Sequence, residues 1–215
     1  MVHKSILCEQ SEFFSVACKP EWMAAKDQVI KLPEDESLLI TAMVYWMYHD
    51  RIYLSDDIID VSCEFEDHVG TYHLSAMTYF CKLYILGEKY RIQRFKNDIL
   101  DAIYHRWEGM ESYFFPVDLV NYIYQNTTSP DCKLRKILIK IMSHDMDIDI
   151  LRDEGHRFNS YALRDLALHY IGYDGSDNFS DYSKFCSEYH KHDSSDFLEP
   201  CEEPKMYDVE SEQHD

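Results

Sequence analysis

The chain has 215 residues, room for one or two domains, and its 46% hydrophobic and 14% aromatic content supplies a packed core and excludes wholesale disorder. A formal net charge of −19 repels phosphate backbones and anionic lipid, which excludes nucleic acid and membrane surfaces as natural partners. Seven cysteines, an odd number with no CxxC pair, point to a reducing compartment, cytosol or nucleus. No leader precedes the first charged helix, and no apolar run approaches the roughly 18 residues a membrane span needs.

Only 6 Gly and 6 Pro are present, so few hairpins can be built and helices should dominate. Lys4 to Cys18 has apolar residues at helical spacing, with Ser11 as an N-cap that restarts a helix before Phe14 and Val16. Gln28 to Leu32 alternates polar and apolar residues up to Pro33 and reads as a short half-buried strand. Ser37 caps a helix that places Leu38, Leu39, Ala42, Met43 and Trp46 on one face. His49 to Tyr72 reads as an acidic loop with a little strand at Arg51 to Leu54.

From Leu74 a helix carries Met77, Cys81, Tyr84 and Ile85 as a stripe and is weakened at Gly87. Ile92, Phe95, Ile99 and Ile103 make the next, broken by Gly109. Three further helices follow: one from Pro116 with Val117, Val120 and Tyr124, one from Asp131 with Leu134, Ile137, Leu138 and Ile141, and one over Asn159 to Ile171. Residues 174–215 hold 13 acidic and 3 basic residues and read as a largely disordered tail.

Four segments, in order, resemble BTB/POZ domains of the fungal type. They are VHKSILCEQSEFFSVAC (Val2 to Cys18), VIKLPEDES (Val29 to Ser37), AMVYWMYHDRIYL (Ala42 to Leu54) and YILGEKYRIQRFKNDILDAI (Tyr84 to Ile103). The resemblance implies an α+β fold, mostly α: a helical cluster with a small sheet over residues 1–108, a helical extension over 112–173, then the acidic tail. It also implies a protein-interaction module, not an enzyme, that forms homodimers or heterodimers and acts as an adaptor. Leu86, Tyr90 and Ile92 around Lys89 should fasten two consecutive helices, and His3 should be a structural hydrogen-bonding residue.

Two departures qualify this picture. The family's first strand, often swapped between partners, precedes the Val-His-Lys element, whereas here Met1 stands directly before it. Relatives that recruit cullin ubiquitin ligases carry a hydrophobic-x-acid element near Trp22-Met23-Ala24; Trp22 suits the hydrophobic position, but Ala24 replaces the acid. Trp22 is therefore a weak candidate for a cullin contact.

No Gly-rich phosphate loop, no Gly-x-Ser-x-Gly elbow and no cofactor motif occurs, so neither catalysis nor a cofactor is expected. Asp145 to Asp149 resembles a calcium-loop fragment but lacks its Gly and distal Glu, which favours a solvated turn or helix cap. The best metal candidates are Cys186 and His190, four apart on one helical face, with His192; Cys201 would be a fourth ligand. The favoured reading is still a polar, partly helical tail segment without metal. Cys63 with His68 and His73 is a weaker cluster. Tyr104, Tyr113, Tyr122, Tyr124, Tyr161 and Tyr170 recur through the later helices and read as core edge more than as interface.

Overall fold

The computed structural model describes residues 2–19, 21, 29–54, 71–108, 115–172 and 181–192, for residues 71–75 the backbone alone. The helices, in chain order, are α1 (Lys4–Gln10), α2 (Glu12–Ala17), α3 (Ser37–His49), α4 (Thr71–Lys89), α5 (Gln93–Glu108), α6 (Val117–Asn126), α7 (Lys133–Asp145), α8 (Ile148–Glu154), α9 (Ser160–Gly172) and α10 (Tyr182–Tyr189). A 3-10 turn, Gly155–Arg157, follows α8. Among the described residues there is no strand and no sheet, so the α+β expectation is corrected to an all-α fold. Residues 29–32 are irregular and Val29 is mostly exposed. In Arg51 to Leu54, Ile52 and Leu54 are buried around an exposed Tyr53, a strand-like alternation. Neither segment finds a ladder partner among the described residues, and an isolated strand leaves its backbone polar groups unpaired.

Two compact units divide the chain at Ile99/Leu100. In the first unit Ser11 caps α2, its hydroxyl accepting from Phe14 N–H at 3.1 Å and donating to the Tyr90 carbonyl at 2.6 Å. Phe14 stacks on the Tyr90 ring at 5.0 Å, and the Tyr90 hydroxyl donates to Asp35 at 2.5 Å. Helix α3 starts one residue differently from expectation: Glu36 is the N-cap, and Ser37 makes no capping bond. Its face of Leu39, Ala42, Met43, Trp46 and Met47 is buried. The Trp46 indole donates to Asp98 at 2.7 Å.

Helix α4 does not falter at Gly87. It ends after Lys89 in a Schellman turn, in which Arg91 N–H donates to the Glu88 carbonyl and Ile92 N–H to the Gly87 carbonyl. Arg91 occupies the left-handed position at φ 53°. A Cβ at Gly87 would lie 2.9 Å from Lys96 Cγ and 3.1 Å from the buried Phe95 ring, so close approach of the next helix is what the glycine serves.

In the second unit α9 packs on α6 and α7, and α10 on α7. Ile123, Ile137, Leu138, Ile141, Ala162 and Leu166 are buried. Arg135 lies over the Tyr124 ring at 4.3 Å and donates to Thr127 Oγ1, and the Tyr124 hydroxyl donates to Asp165 at 3.0 Å. Asp147 caps α8 by accepting from Asp149 N–H, so the calcium-like stretch is a helix start. The stretch expected to be tail contains α10; residues 193–215 lie outside the described ones.

Candidate functional site

Trp22 and Ala24 lie outside the described residues, as do Cys63, His68, Tyr113, Cys201 and the His73 side chain. His3 is structural. Its backbone N–H donates to the Tyr48 hydroxyl at 2.8 Å, and that hydroxyl lies 2.7 Å from His3 Nδ1, which leaves its hydrogen free to donate to the ring. No disulfide occurs among the described residues, and no helix there is long and apolar enough to cross a membrane.

Two features remain with functional chemistry, both in the second unit. The first is the outer face of α9. Its inner face is fixed by burial of Ala162 and Leu166, by the Asp165–Tyr124 bond and by His169 Nε2, 3.1 Å from Ser143 Oγ. Positions 161, 164, 168 and 171 then form one stripe on the opposite side. Tyr161, Leu168 and Ile171 on it are 59%, 60% and 83% exposed, and Tyr170 beside it donates from its hydroxyl to the Ser143 carbonyl. Tyr104 and Tyr124 are core, as the sequence suggested, but Tyr161 and Tyr170 are not. Arg164, also exposed, interrupts the stripe and lays its guanidinium 5.1 Å over the Tyr161 ring, so the face combines three large apolar side chains with one cation. Single exposed apolar residues are ordinary; several on one helix face are the composition of a docking surface.

The second is the Cys186–His190–His192 cluster. Asp181 caps α10 by accepting from Ser183 N–H, and the Ser183 hydroxyl, which donates to the same oxygen at 2.7 Å, is the first cause that holds its carboxyl below the usual carboxylate range. Phe185 packs against Tyr104 with the rings tilted and their centroids 4.3 Å apart, and Phe185, Cys186 and Tyr189 are buried. Lys133 of α7 donates to the Glu188 carbonyl at the end of α10, and burial lowers its ammonium pKa. Helix α10 stops at Tyr189, so His190 is not on the helix with Cys186, as the spacing had suggested. It is the C-cap in extended conformation, its N–H donating to the Cys186 carbonyl. The chain then doubles back and brings His192 Nε2 to 3.4 Å from Cys186 Sγ.

One donor atom from each of the three residues lies within 4.8 Å of the others. The His190 side chain is only 1% exposed, and its Nε2 lies 2.8 Å from Asp101 Oδ1, which also accepts from the Tyr182 hydroxyl at 3.1 Å. That approach lacks hydrogen-bond alignment, and His190 Nδ1 has no hydrogen-bond partner among the described residues. One thiol sulfur and two imidazole nitrogens are donors for a borderline-soft ion such as zinc, not for calcium or magnesium. Asp101, the member that sequence spacing missed, stands far upstream on α5 and carried no local signal.

No protein-family model matches the chain, and no curated protein or solved structure matches it either.

Proposed function

We propose that this chain is a protein-interaction module, an adaptor and not an enzyme, that docks a partner protein on the outer face of α9. The observation that carries this reading is the exposed stripe of Tyr161, Leu168 and Ile171 on a helix whose other face is firmly packed. The resemblance of four ordered segments to BTB/POZ interaction modules supports it. The sheet-borne dimer of that family is not part of the reading, because the fold described here is all-α. A net charge of −19 makes self-association costly and favours a partner with an apolar contact surface rimmed by Lys and Arg.

Photocrosslinking tests this. A photoreactive amino acid placed at Leu168 should give a discrete adduct with a second protein in cells, and the same group at Lys136, an exposed position on α7, should not. Light scattering of the purified chain should give the monomer mass at all concentrations. A concentration-dependent dimer abolished by Leu168→Glu would replace the heterologous partner with a second copy, and no position-specific adduct at Leu168 would overturn the docking reading.

A further inference from the structure

We propose that Cys186, His190 and His192 bind one zinc ion, with Asp101 as the positioning residue that orients the His190 ring. This is independent of the docking reading of α9.

A tetrahedral zinc with bonds of roughly 2.3 Å to sulfur and 2.0–2.1 Å to nitrogen sets its sulfur and nitrogen ligands about 3.5 Å apart. Cys186 Sγ and His192 Nε2 already stand 3.4 Å apart. The whole donor set fits within 4.8 Å, so closing it on one ion requires side-chain shifts of about 1 Å. His190 supplies the independent observation. Its ring is buried, and Nδ1 has no hydrogen-bond partner among the described residues, a condition buried polar atoms meet when an ion or water completes them. Ligation through Nδ1 satisfies that atom and turns Nε2–H toward Asp101, the carboxylate–histidine–metal arrangement that fixes tautomer and ring orientation.

A purely structural reading, with Cys186 as a small hydrophobe and His190 as a core histidine beside Asp101, accounts for the burial. It also accommodates a thiol–imidazole hydrogen bond between Cys186 and His192, but it does not account for the orphaned Nδ1. On binding, the Cys186 thiol releases its proton to solvent and both imidazoles ligate as neutral rings, so affinity falls on acidification. Three protein donors leave the fourth tetrahedral position to solvent. The ion would fasten the segment beyond α10 to the helix end it follows, within the second unit.

The test is metal analysis of the purified full-length chain, zinc titration against a chromophoric chelator, and cobalt substitution. Wild type should hold one zinc per chain, and its cobalt form should show a thiolate-to-cobalt charge-transfer band. Cys186→Ser should abolish the band. His192→Gln, beyond the end of α10, should lose the zinc while the helical circular-dichroism signal stays unchanged. Asp101→Asn should weaken zinc binding about 10–100-fold without changing stoichiometry. Cys8→Ser, in the first unit, should leave binding intact. Absence of zinc binding at micromolar concentrations, or a charge-transfer band that survives Cys186→Ser, would overturn the site.

Discussion

The unit that ends at Ile99 and the unit that begins at Leu100 use one device with different settings. In each, a buried tyrosine donates its hydroxyl to an aspartate that a basic neighbour also holds. In the first unit Tyr90 donates to Asp35, which Lys89 meets at 2.7 Å. In the second Tyr124 donates to Asp165, which Arg164 meets at 2.7 Å. The settings differ in what else depends on the ring. Tyr90 stacks on Phe14, meets Phe13 edge-on and takes the Ser11 hydroxyl on its carbonyl, so with Asp35 one residue ties two distant stretches of chain to its own. Tyr124 shares its unit's cohesion with Arg135, with the Trp107–Asp145 bond and with Asp101, which meets both Tyr182 and His190. A hub makes the first unit sensitive to one position; distributed polar ties leave the second free to present α9 and the His190 cluster.

That contrast is broken most directly at the hub. Tyr90→Ala should cost about 3–5 kcal/mol, the range for emptying a buried aromatic site. Tyr124→Ala should cost about 3 kcal/mol, the low end of the same range, because Arg135 keeps its bond to Thr127. Urea denaturation followed by circular dichroism measures both, and the reverse order of the two values would refute the comparison.

Alkaline pH sharpens it next. Burial is the first cause that raises the phenol pKa of Tyr79, Tyr90 and Tyr124 well above the ordinary value, with Tyr53, Asp35 and Asp165 beside them adding to it. Below about pH 10 these groups are neutral both folded and unfolded, and their contribution is fully present. Above it the unfolded chain loses their protons and the folded chain does not, so stability falls by about 1.4 kcal/mol per pH unit for each phenol. Two of the three lie in the first unit. Absorbance titration should show these phenols ionising only with the loss of helix, and Tyr90→Phe and Tyr79→Phe should flatten the alkaline decline more than Tyr124→Phe.

Two substitutions at the end of α4 carry opposite signs. Gly87→Ala gains helix propensity but drives a methyl against the Phe95 ring, which is buried and cannot retreat; a net loss of about 1 kcal/mol is expected. Arg91→Gly relieves a left-handed position and sacrifices only an exposed ion pair with Glu12 at 3.8 Å, so a gain of about 0.5–1 kcal/mol is expected. Thermal melting of both variants checks the pair.

Gly87 also shows where sequence reading fails. Propensity assigns a glycine near a helix end a weakening role, and the packing that requires it comes from residues on the next helix. Period 3.6 was enough for α3, α4, α5, α6, α7 and α9, because each buries one face, and Ser11 was readable as a cap because its bonding is local. Alternation at Gln28 to Leu32 was not enough for a strand, since a strand also needs a neighbour and the sequence does not state one. Helix α10 was only half legible: the spacing of Cys186 and His190 allowed a partly helical segment, but the averaged composition read as tail. The acidic composition belongs to the stretch as a whole, whereas Tyr182–Tyr189 itself carries one Lys and one Glu, with Phe185, Cys186 and Tyr189 on its buried side. The spacing of Cys186, His190 and His192 was visible, but the turn that assembles them and the partner at Asp101 are products of the fold.

The smallest stability effect falls on the surface where the functional effect is greatest. Leu168→Glu replaces an exposed side chain on the outer face of α9, removes no buried contact and should change stability by less than about 0.5 kcal/mol. It nonetheless places a carboxylate between Tyr161 and Ile171, one turn from Arg164, where a partner would have to desolvate it. Crosslinking from a photoreactive group at Tyr161 should therefore be lost in the Leu168→Glu background, while the melting temperature stays within about 2 °C of wild type. An adduct that persists would mean that the stripe is exposed without being used, and the division of labour between a hub-held first unit and a surface-presenting second unit would lose its functional half.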